Sequence, residues 1–462
     1  MSGNGRLITV SNRVAMPNPN RPAAGGLAVG VLAALEDEGG MWFGWDGKLT
    51  ASDSHDPQHV TRGKISFSTI DLNEREYELY YNGFSNRVLW PLFHYLLSYM
   101  LYDRREFEAY LRVNALFARK LKPLLEPDDI IWVHDYHLIP LAAELRNAGV
   151  DQPIGFFLHV PFPGYDILQA LPDHEYLLRS LSAYDVVGFQ TERDLASFRE
   201  AMTHPVIGGE LAEGNRIDVP GGSLIADVYP IGIDVDGIAD LAQANKDGEN
   251  VRRMRASLGG RELLIGVDRL DYSKGLRRRF LAYERLLERY PSNQGNLVFM
   301  QIAPPTRVGI RAYEEIRAQL ERTAGQINGR FADMDWVPIR YLNKGFDRPT
   351  LMGMLRTARV GLVTPIRDGM NLVAKEYLAS QDAEDPGVLV LSKLAGAAHE
   401  LTEAVLVNPY DTEDVADGIN RSLHMPADER RERHAAMLKT LRRNDITAWR
   451  TRFVADLRKK RR

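Results

Sequence analysis

Short runs of apolar residues, each followed directly by polar residues, recur along the chain and are typical of buried parallel strands. In the first half they cover 7–10, 130–133, 154–158 and 185–189. In the second half they cover 263–267, 297–302, 360–364 and 388–391. Apolar residues at helical spacing lie between several of these runs, for example in 276–290. This alternation predicts an α/β protein with doubly wound sheets.

The pattern breaks near the middle of the chain. Segment 203–227 is glycine-rich with strand or hairpin character, and a charged stretch follows residue 234. A chain of 462 residues is too long for one ordinary core, so two domains of about 200 residues each are expected. We place the boundary near residue 235, which predicts domains over 1–235 and 236–445.

Polar side chains follow several predicted strands of the first domain. Arg13, Asp135 and His159 each come just after an apolar run. In an open parallel sheet, ligands bind at the carboxyl ends of the strands, so these side chains are expected to converge. The stretch 41–95 is rich in aromatic residues, whose flat faces suit sugar rings and equally suit a core.

Two other interpretations of this half are weaker. Gly25-Gly26 follows the first strand and allows a close backbone approach to a ligand, but the match to the dinucleotide fingerprint G-x-G-x-x-G is poor. No convincing second strand with a terminal acid follows it. The run 134–137, His-Asp-Tyr-His, suggests a metal, yet no further His or Glu at helical spacing completes a site. An Asp135 that accepts sugar hydroxyls fits better.

The stretch 361–377, GLVTPIRDGMNLVAKEY, predicts a strand, a tight turn and a helix. A helix that begins at the turn directs unpaired N–H groups at a phosphate or a sugar oxygen. Asp368 in the turn can take sugar hydroxyls, and Glu376 in the helix can receive a ribose diol. The alternative is a strand, a turn and an N-capping Asp with no ligand.

The segment VDRLDYSKGL brings two cations to another turn between strand and helix. Arg269 and Lys274 lie beside the start of a helix at Gly275, which suits a diphosphate. The adjacent 277–279, three arginines, reads as ordinary solvated charge on that helix. Two Asp-x-Asp triplets, 234–236 and 333–335, suggest a metal-dependent sugar-nucleotide enzyme, but each is a short coincidence among 62 acids.

Composition narrows the function classes. The hydrophobic content is 44%, the charged content 26% and the formal charge −4, which gives no electrostatic case for nucleic acid. Nowhere do 18 apolar residues run together, so we expect no membrane span. The chain contains no Cys and opens without a signal-peptide pattern, which favours the cytoplasm. The sequence allows a homo-oligomer without specifying one.

Twelve motifs, in order from residue 11 to residue 401, resemble those of the trehalose-6-phosphate synthases. They include SNRVA, WFGWDG, IWVHDYHLIP, DRLDYSKG and TPIRDGMNLVAKEY. The resemblance implies the GT-B type, with two facing Rossmann-like domains, an active site in the cleft between them and a C-terminal helix, about 446–462, that returns to the first domain. It also implies a retaining, metal-independent and cofactor-free transfer of glucose from a nucleotide sugar, with UDP-glucose the expected donor, to glucose 6-phosphate.

The resemblance assigns site residues position by position. The donor residues are Gly26, Arg269, Lys274, Asp368, Met370, Asn371, Leu372 and Glu376, and His159 contacts the donor glucose. The acceptor residues are Arg13, Trp45, Tyr81, Trp90, Asp135 and Arg307. The catalytic set implied is Arg269, Lys274, His159, Asp135 and Asp368. Segment 208–222 does not match the family.

Two rival functions remain open from the sequence. A related pseudoglycosyltransferase would join cyclitols through nitrogen. A sugar-phosphate sensor subunit would bind the same ligands without catalysis. Loss of the acceptor residues or of His159 would favour either rival, and the chain keeps them all.

Overall fold

The computed structural model describes residues 5–16, 26–51, 54–307 and 310–460, and it divides into two compact units. Unit 1 comprises Met1–Ile231 together with Ile446–Arg462, and unit 2 comprises Gly232–Asp445. Each unit is built around its own sheet.

Within the described part of unit 1, ten strands form one sheet. They are β1 Leu7–Arg13, β2 Gly40–Leu49, β3 Gln58–Arg62, β4 Ile65–Leu72, β5 Ile130–His134, β6 Ile154–Phe157, β7 Val186–Phe189, β8 Glu210–Leu211, β9 Arg216–Val219 and β10 Gly222–Val228. Their order across the sheet is β3-β4-β2-β1-β5-β6-β7-β10-β9-β8. The strands from β4 to β10 in this order are parallel, and antiparallel strands close both edges.

Helices and one π-helical segment connect these strands. The helices are α1 Gly26–Glu38, α2 Glu74–Glu76, α3 Trp90–Phe93, α4 Arg104–Leu121, α5 Leu141–Asn147, α6 Tyr165–Leu168, α7 His174–Leu181 and α8 Glu192–Thr203. The π-helical segment is Tyr77–Leu89. Helix α4 begins where the Asp103 carboxylate accepts a hydrogen bond from the Arg105 amide at 2.8 Å, which satisfies one of its free N–H groups.

Unit 2 has a six-stranded sheet in which every described pairing is parallel. Its strands are β11 Glu262–Val267, β12 Leu297–Ile302, β13 Ile339–Leu342, β14 Val360–Val363, β15 Val388–Ser392 and β16 Val405–Val407. Its helices are α9 Val235–Asn245, α10 Glu249–Leu258, α11 Leu276–Arg289, α12 Arg311–Phe331, α13 Arg348–Thr357, α14 Leu372–Ser380, α15 Thr412–Leu423 and α16 Ala427–Arg443. The strand order β13-β12-β11-β14-β15-β16 is that of a doubly wound nucleotide-binding sheet.

The last helix, α17 Ile446–Arg458, belongs to unit 1. Its Phe453 stacks on Trp132 of β5 with ring centroids 4.7 Å apart, and its Trp449 lies 4.8 Å from the same ring. These large apolar surfaces fix the helix to the sheet of unit 1 by the hydrophobic effect.

The prediction of an α/β protein with two doubly wound sheets is confirmed. The expectation that no second strand follows the first glycine loop is wrong, because β2 pairs in parallel with β1 along 40–45. The apolar pattern also missed β3, β4, β13 and β16. Along the described residues, no helix has the length and apolar character needed to cross a membrane.

Candidate active site

In each sheet, the order of strands along the chain runs outward in opposite directions from one pair of neighbouring strands. In unit 2 the pair is β11 and β14, and in unit 1 it is β1 and β5. A crevice for ligands opens beyond the carboxyl ends of such a pair. Of the polar residues that the sequence singled out, those at the ends of these four strands are Arg13, Asp135, Arg269, Lys274 and Asp368, whereas His159 follows β6.

In unit 2, the loops after β11 and β14 are joined. The backbone N–H of Ile366 donates to the carbonyl of Ser273 at 2.8 Å. The Lys274 ammonium pairs with Oδ2 of Asp368, and the amide Nδ2 of Asn371 donates to the same oxygen at 2.9 Å. The structure therefore brings three of the residues assigned from the sequence, Lys274, Asp368 and Asn371, into one hydrogen-bonded cluster.

Two helices begin at this cluster. Helix α11 follows Gly275, which has φ of 67° and whose added Cβ would lie 2.8 Å from the carbonyl oxygen of Thr364. Only glycine fits this left-handed, closely packed position. Helix α14 follows Asn371, which has φ of 71° and gives the helix no side-chain cap. The first N–H groups of α14 thus have no capping side chain, an arrangement that suits an anion.

Arg269 and Arg307 both act on a buried carboxylate, Asp271, that the sequence did not single out. The Arg307 guanidinium donates to Oδ2 of Asp271 at 3.0 Å, and only 5% of the arginine side chain is exposed. Burial opposes ionisation of Asp271, but the charges of Arg307 and Arg269 outweigh it and hold the pKa of this carboxyl below its ordinary value. Arg269 itself is exposed in the loop that follows β11.

Three more residues predicted to bind the donor lie in α14 or just before it. Met370 is buried, and its carbonyl accepts from the N–H of Ala397 at 2.9 Å. Leu372 is half-buried in the first turn of the helix. One turn on, Arg348 donates to Glu376 at 3.4 Å, and burial raises the pKa of Glu376 while Arg348 counteracts this.

In unit 1, the aromatic side chains of Trp45 and Tyr81 lie close to Arg13. The Arg13 guanidinium carbon is 5.8 Å from the centre of the Trp45 ring, within the range of a cation–π contact. The Tyr81 ring lies 5.8 Å from Trp45 and stacks on His137 at 5.8 Å. The Trp90 ring, by contrast, contacts Tyr136 and His94 and is 5% exposed.

Asp135 and His159 meet at the ends of β5 and β6. Asp135 has φ of 75°, an unusual conformation for a residue with a side chain, and its Oδ1 accepts from the His159 N–H at 3.2 Å. Nδ1 of His134 lies 3.2 Å from Nε2 of His159. Burial lowers the pKa of His134 well below its ordinary value and that of His159 to about 3. Both rings are therefore neutral near pH 7, and one donates to the other.

Gly26 is the first residue of α1, and the loop that contains Gly25 lies outside the described residues. Among the described residues, no cluster of three metal-binding side chains exists. Each Asp-x-Asp triplet has structural contacts instead. Asp234 caps α9 by accepting from Gly237 at 3.0 Å, and Asp335 pairs with Arg261 at 2.5 Å.

The interpretation of 277–279 as solvated charge is wrong for Arg279. Arg277 and Arg278 are exposed, whereas the Arg279 side chain is fully buried. It pairs with Asp268 and donates to Gln301 at 2.9 Å and Thr364 at 3.0 Å. The signal was in the sequence, because position 279 falls on the apolar face of α11 with Leu276, Phe280 and Tyr283.

The chain matches the model of glycosyltransferase family 20 over residues 9–459. A trehalose-6-phosphate synthase of Klebsiella pneumoniae is 51% identical over 98% of this chain and 95% of its own length. A UDP-forming alpha,alpha-trehalose-phosphate synthase of Burkholderia xenovorans, solved in complex with glucose-6-phosphate, is 52% identical over 98% of this chain and 100% of that chain, with a TM-score of 0.95.

A third relative, an E. coli protein solved with UDP-2-fluoro glucose bound, is 48% identical over 98% of this chain and 99% of that chain, with a TM-score of 0.93. Identity of this order over almost the full length shows that the chain shares its fold with these proteins. The resemblance indicated by the sequence motifs is confirmed, and the chain belongs to glycosyltransferase family 20.

Proposed function

We propose that the protein transfers glucose from UDP-glucose to glucose 6-phosphate with retention and releases α,α-trehalose 6-phosphate and UDP. The observation that carries the proposal is the cluster of Lys274, Asp368 and Asn371 at the start of two helices, at the switch point of a doubly wound sheet. A nucleotide sugar supplies the anionic diphosphate and the sugar hydroxyls that such a cluster suits. The relatives bound with glucose-6-phosphate and with UDP-2-fluoro glucose support both substrates.

We assign the donor to the second domain, 236–445. Lys274 and Arg269 place positive charge at the diphosphate, with Gly26 of the first domain approaching it through its backbone. Asp368 and the backbone of Met370, Asn371 and Leu372 hold the glucose, together with His159. Glu376 takes the ribose hydroxyls, and Arg348 beside it keeps the carboxylate oriented.

The acceptor is assigned to the first domain, 1–235, to which the helix near 446–462 is added. Trp45, Tyr81 and Trp90 are assigned to the aromatic side of the sugar site, with Tyr81 half-buried and the two tryptophans buried in this structure, and Asp135 accepts the hydroxyl hydrogens of the sugar. We assign the phosphate to Arg13 together with Arg307, which belongs to the second domain. Because Arg307 is paired with Asp271 in this structure, Asp271 would share the guanidinium with the phosphate and fix its orientation.

In the chemical step, one bond at the anomeric carbon breaks and another forms. The bond from that carbon to the diphosphate breaks, a bond to the hydroxyl oxygen of the acceptor forms on the same face, and the hydroxyl proton passes to a diphosphate oxygen. Negative charge grows on the leaving group, so prepositioned cations lower the barrier. A neutral His159 fits this scheme because it adds no positive charge beside the developing oxocarbenium ion.

The test is an assay of the purified protein with UDP-glucose and glucose 6-phosphate, with UDP and trehalose 6-phosphate measured separately. GDP-glucose and ADP-glucose run beside it as donors. Lys274→Ala should abolish most turnover, whereas Arg277→Ala, which removes an exposed cation from the adjacent helix, should not. A parent protein that binds glucose 6-phosphate but forms neither product is a sensor, and one that accepts only cyclitols is a pseudoglycosyltransferase. Either result contradicts the proposal.

The proposal also concerns the cellular location of the reaction. Its substrates are a nucleotide sugar and a sugar phosphate, so we infer a cytoplasmic enzyme that acts on small molecules. The sequence allows a homo-oligomer and does not specify one.

A further inference from the structure

The segment that carries Tyr81 has an irregular backbone. Tyr77–Leu89 is π-helical over 13 residues and contains Gly83 with non-helical φ of −70° and ψ of −109°. It runs directly into α3, whose first residue is Trp90. Long π-helical stretches are rare because their hydrogen bonds are poorly placed, so tertiary contacts have to hold this one in shape. Two aromatic residues assigned to the acceptor depend on those contacts.

Helix α4 supplies the apolar contacts. Phe84 lies 4.8 Å from Tyr110 and 5.1 Å from Phe107, and Tyr80 stacks on Tyr110 at 5.9 Å. The hydroxyl of Tyr80 donates to Asn12 at 2.8 Å, beside Arg13. The π-helical segment is thus hydrogen-bonded to β1 next to Arg13, which we assign to the acceptor phosphate.

A buried carboxylate of α4 faces the irregular point. Glu106 has a side chain that is 7% exposed, and its Oε1 accepts from Arg87 Nη2 at 2.6 Å. Its Oε2 is buried and has no hydrogen-bond partner in the described part of the chain. An added Cβ on Gly83 would lie 2.8 Å from the carboxyl carbon of Glu106, so only glycine at 83 leaves room for the carboxylate.

We propose that Glu106, acting through Arg87, is a positioning residue for the acceptor site: its ionised carboxylate holds Tyr77–Leu89 in the arrangement that presents Tyr81 and Trp90 to the sugar. A buried carboxylate with one unused oxygen is costly to a fold. Such a cost is expected where the local arrangement serves binding and not stability alone. The inference rests on the proposed acceptor site.

The same geometry makes the effect depend on pH. Burial raises the pKa of Glu106 to about 7. The nearby positive charges of Arg87 and Arg105 lower this pKa, and the negative charges of Asp103 and Glu78 raise it. Arg87 and Glu78 face the carboxylate from the π-helical segment, and Asp103 and Arg105 from the start of α4. As pH falls through 7 the carboxylate takes up a proton, and the charge-assisted bond to Arg87 is weakened.

Stability changes in the opposite direction. Because the folded-state pKa lies above the ordinary value of 4.5, the folded protein binds a proton more tightly than the unfolded chain. This contribution to stability is complete below pH 4.5 and is lost as pH rises to about 7. Ionised Glu106 therefore costs stability while it orders the acceptor segment, and the two effects can be measured separately.

The test compares Glu106→Gln with the parent, and uses Glu108→Gln, two residues further along α4 and half-exposed, as the matched control. At pH 8, Glu106→Gln should raise KM for glucose 6-phosphate about tenfold, leave KM for UDP-glucose unchanged and raise Tm. At pH 6 the two KM values for glucose 6-phosphate should coincide. The ratio of variant to parent cancels the titration of the phosphate itself, since that is common to both.

Gly83→Ala, which displaces the carboxylate without removing it, should also raise KM for glucose 6-phosphate, with Gly222→Ala, in open space, as its control. The proposal is overturned if the KM ratio for Glu106→Gln is the same at pH 6 and pH 8. It is overturned equally if both substrates are affected alike, or if Tm falls at pH 8. An inactive parent would instead contradict the proposed function.

Discussion

The buried Arg279 makes a sharp prediction about unit 2. Its guanidinium joins the ends of three neighbouring strands and the donor loop: it pairs with Asp268 after β11, and donates to Gln301 in β12, to Thr364 after β14 and, at 3.4 Å, to the carbonyl of Lys274. Arg279→Met keeps much of the side-chain volume and removes all four contacts. It leaves the Asp268 carboxylate buried without its partner.

The size of the effect follows from that carboxylate. Breaking one side of a buried ion pair costs about 3 to 5 kcal/mol, which is a large share of the roughly 5 to 15 kcal/mol that keeps a typical protein folded. For a unit of this size each kcal/mol lowers Tm by roughly 2 to 4 °C, so we expect a fall of roughly 6 to 20 °C. Turnover should fall as well, because the Lys274 carbonyl is no longer held.

The assay is thermal unfolding of the parent, Arg279→Met and Arg277→Met, which removes an exposed arginine from the same helix. The double variant Asp268→Asn with Arg279→Met should recover much of the lost Tm, because the uncompensated charge is gone. If Arg279→Met lowers Tm no more than Arg277→Met does, the guanidinium does not join these strand ends and the reasoning fails.

Three further predictions concern the reaction. Lys274→Ala should lower kcat by about 100-fold to 1000-fold while binding of glucose 6-phosphate to the unreacting enzyme changes little, since the charge on the diphosphate is greatest in the transition state; an unchanged kcat would remove Lys274 from the site. Arg13→Ala should raise KM for glucose 6-phosphate by about 30-fold and erase the preference over plain glucose; a preserved preference would place the phosphate elsewhere. Activity should survive EDTA, and loss with recovery on added magnesium would revive a metal at the Asp-x-Asp triplets.

The sequence alone located the candidate site because doubly wound sheets concentrate ligand-binding groups at strand ends. Apolar runs that end in Asp135, His159, Arg269 or Asp368 are visible without a structure, and parallel strands bring such ends to one edge. The break in the chain after β14 and the helix that follows it could be predicted for the same reason, although the structure has a bend at 366–369 where the sequence predicted a tight turn. These features are local, so spacing along the chain reveals them.

The other features of the fold and the site could not be predicted from the sequence, because they depend on contacts between segments that are distant along the chain. The stretch 41–95 mixes tryptophan, glycine and tyrosine, and its three strands and π-helical segment share no simple period. Glu106 and Arg279 look like surface charges in the sequence. Each is buried beside an oppositely charged partner from another element, Arg87 for Glu106 and Asp268 for Arg279.

The return of α17 to the sheet of unit 1 has a consequence for synthesis of the protein. Trp132 in β5 and the flat surface at Gly155 in β6, where a Cβ would lie 2.7 Å from the ring of Phe453, are covered by a helix that is synthesised only after unit 2. The whole of Gly232–Asp445 is made in between, which takes roughly 10 to 40 s at ordinary elongation rates. During that interval the sheet of unit 1 exposes a strip of aromatic surface, so a nascent chain, or one truncated before residue 446, is a natural client for chaperones.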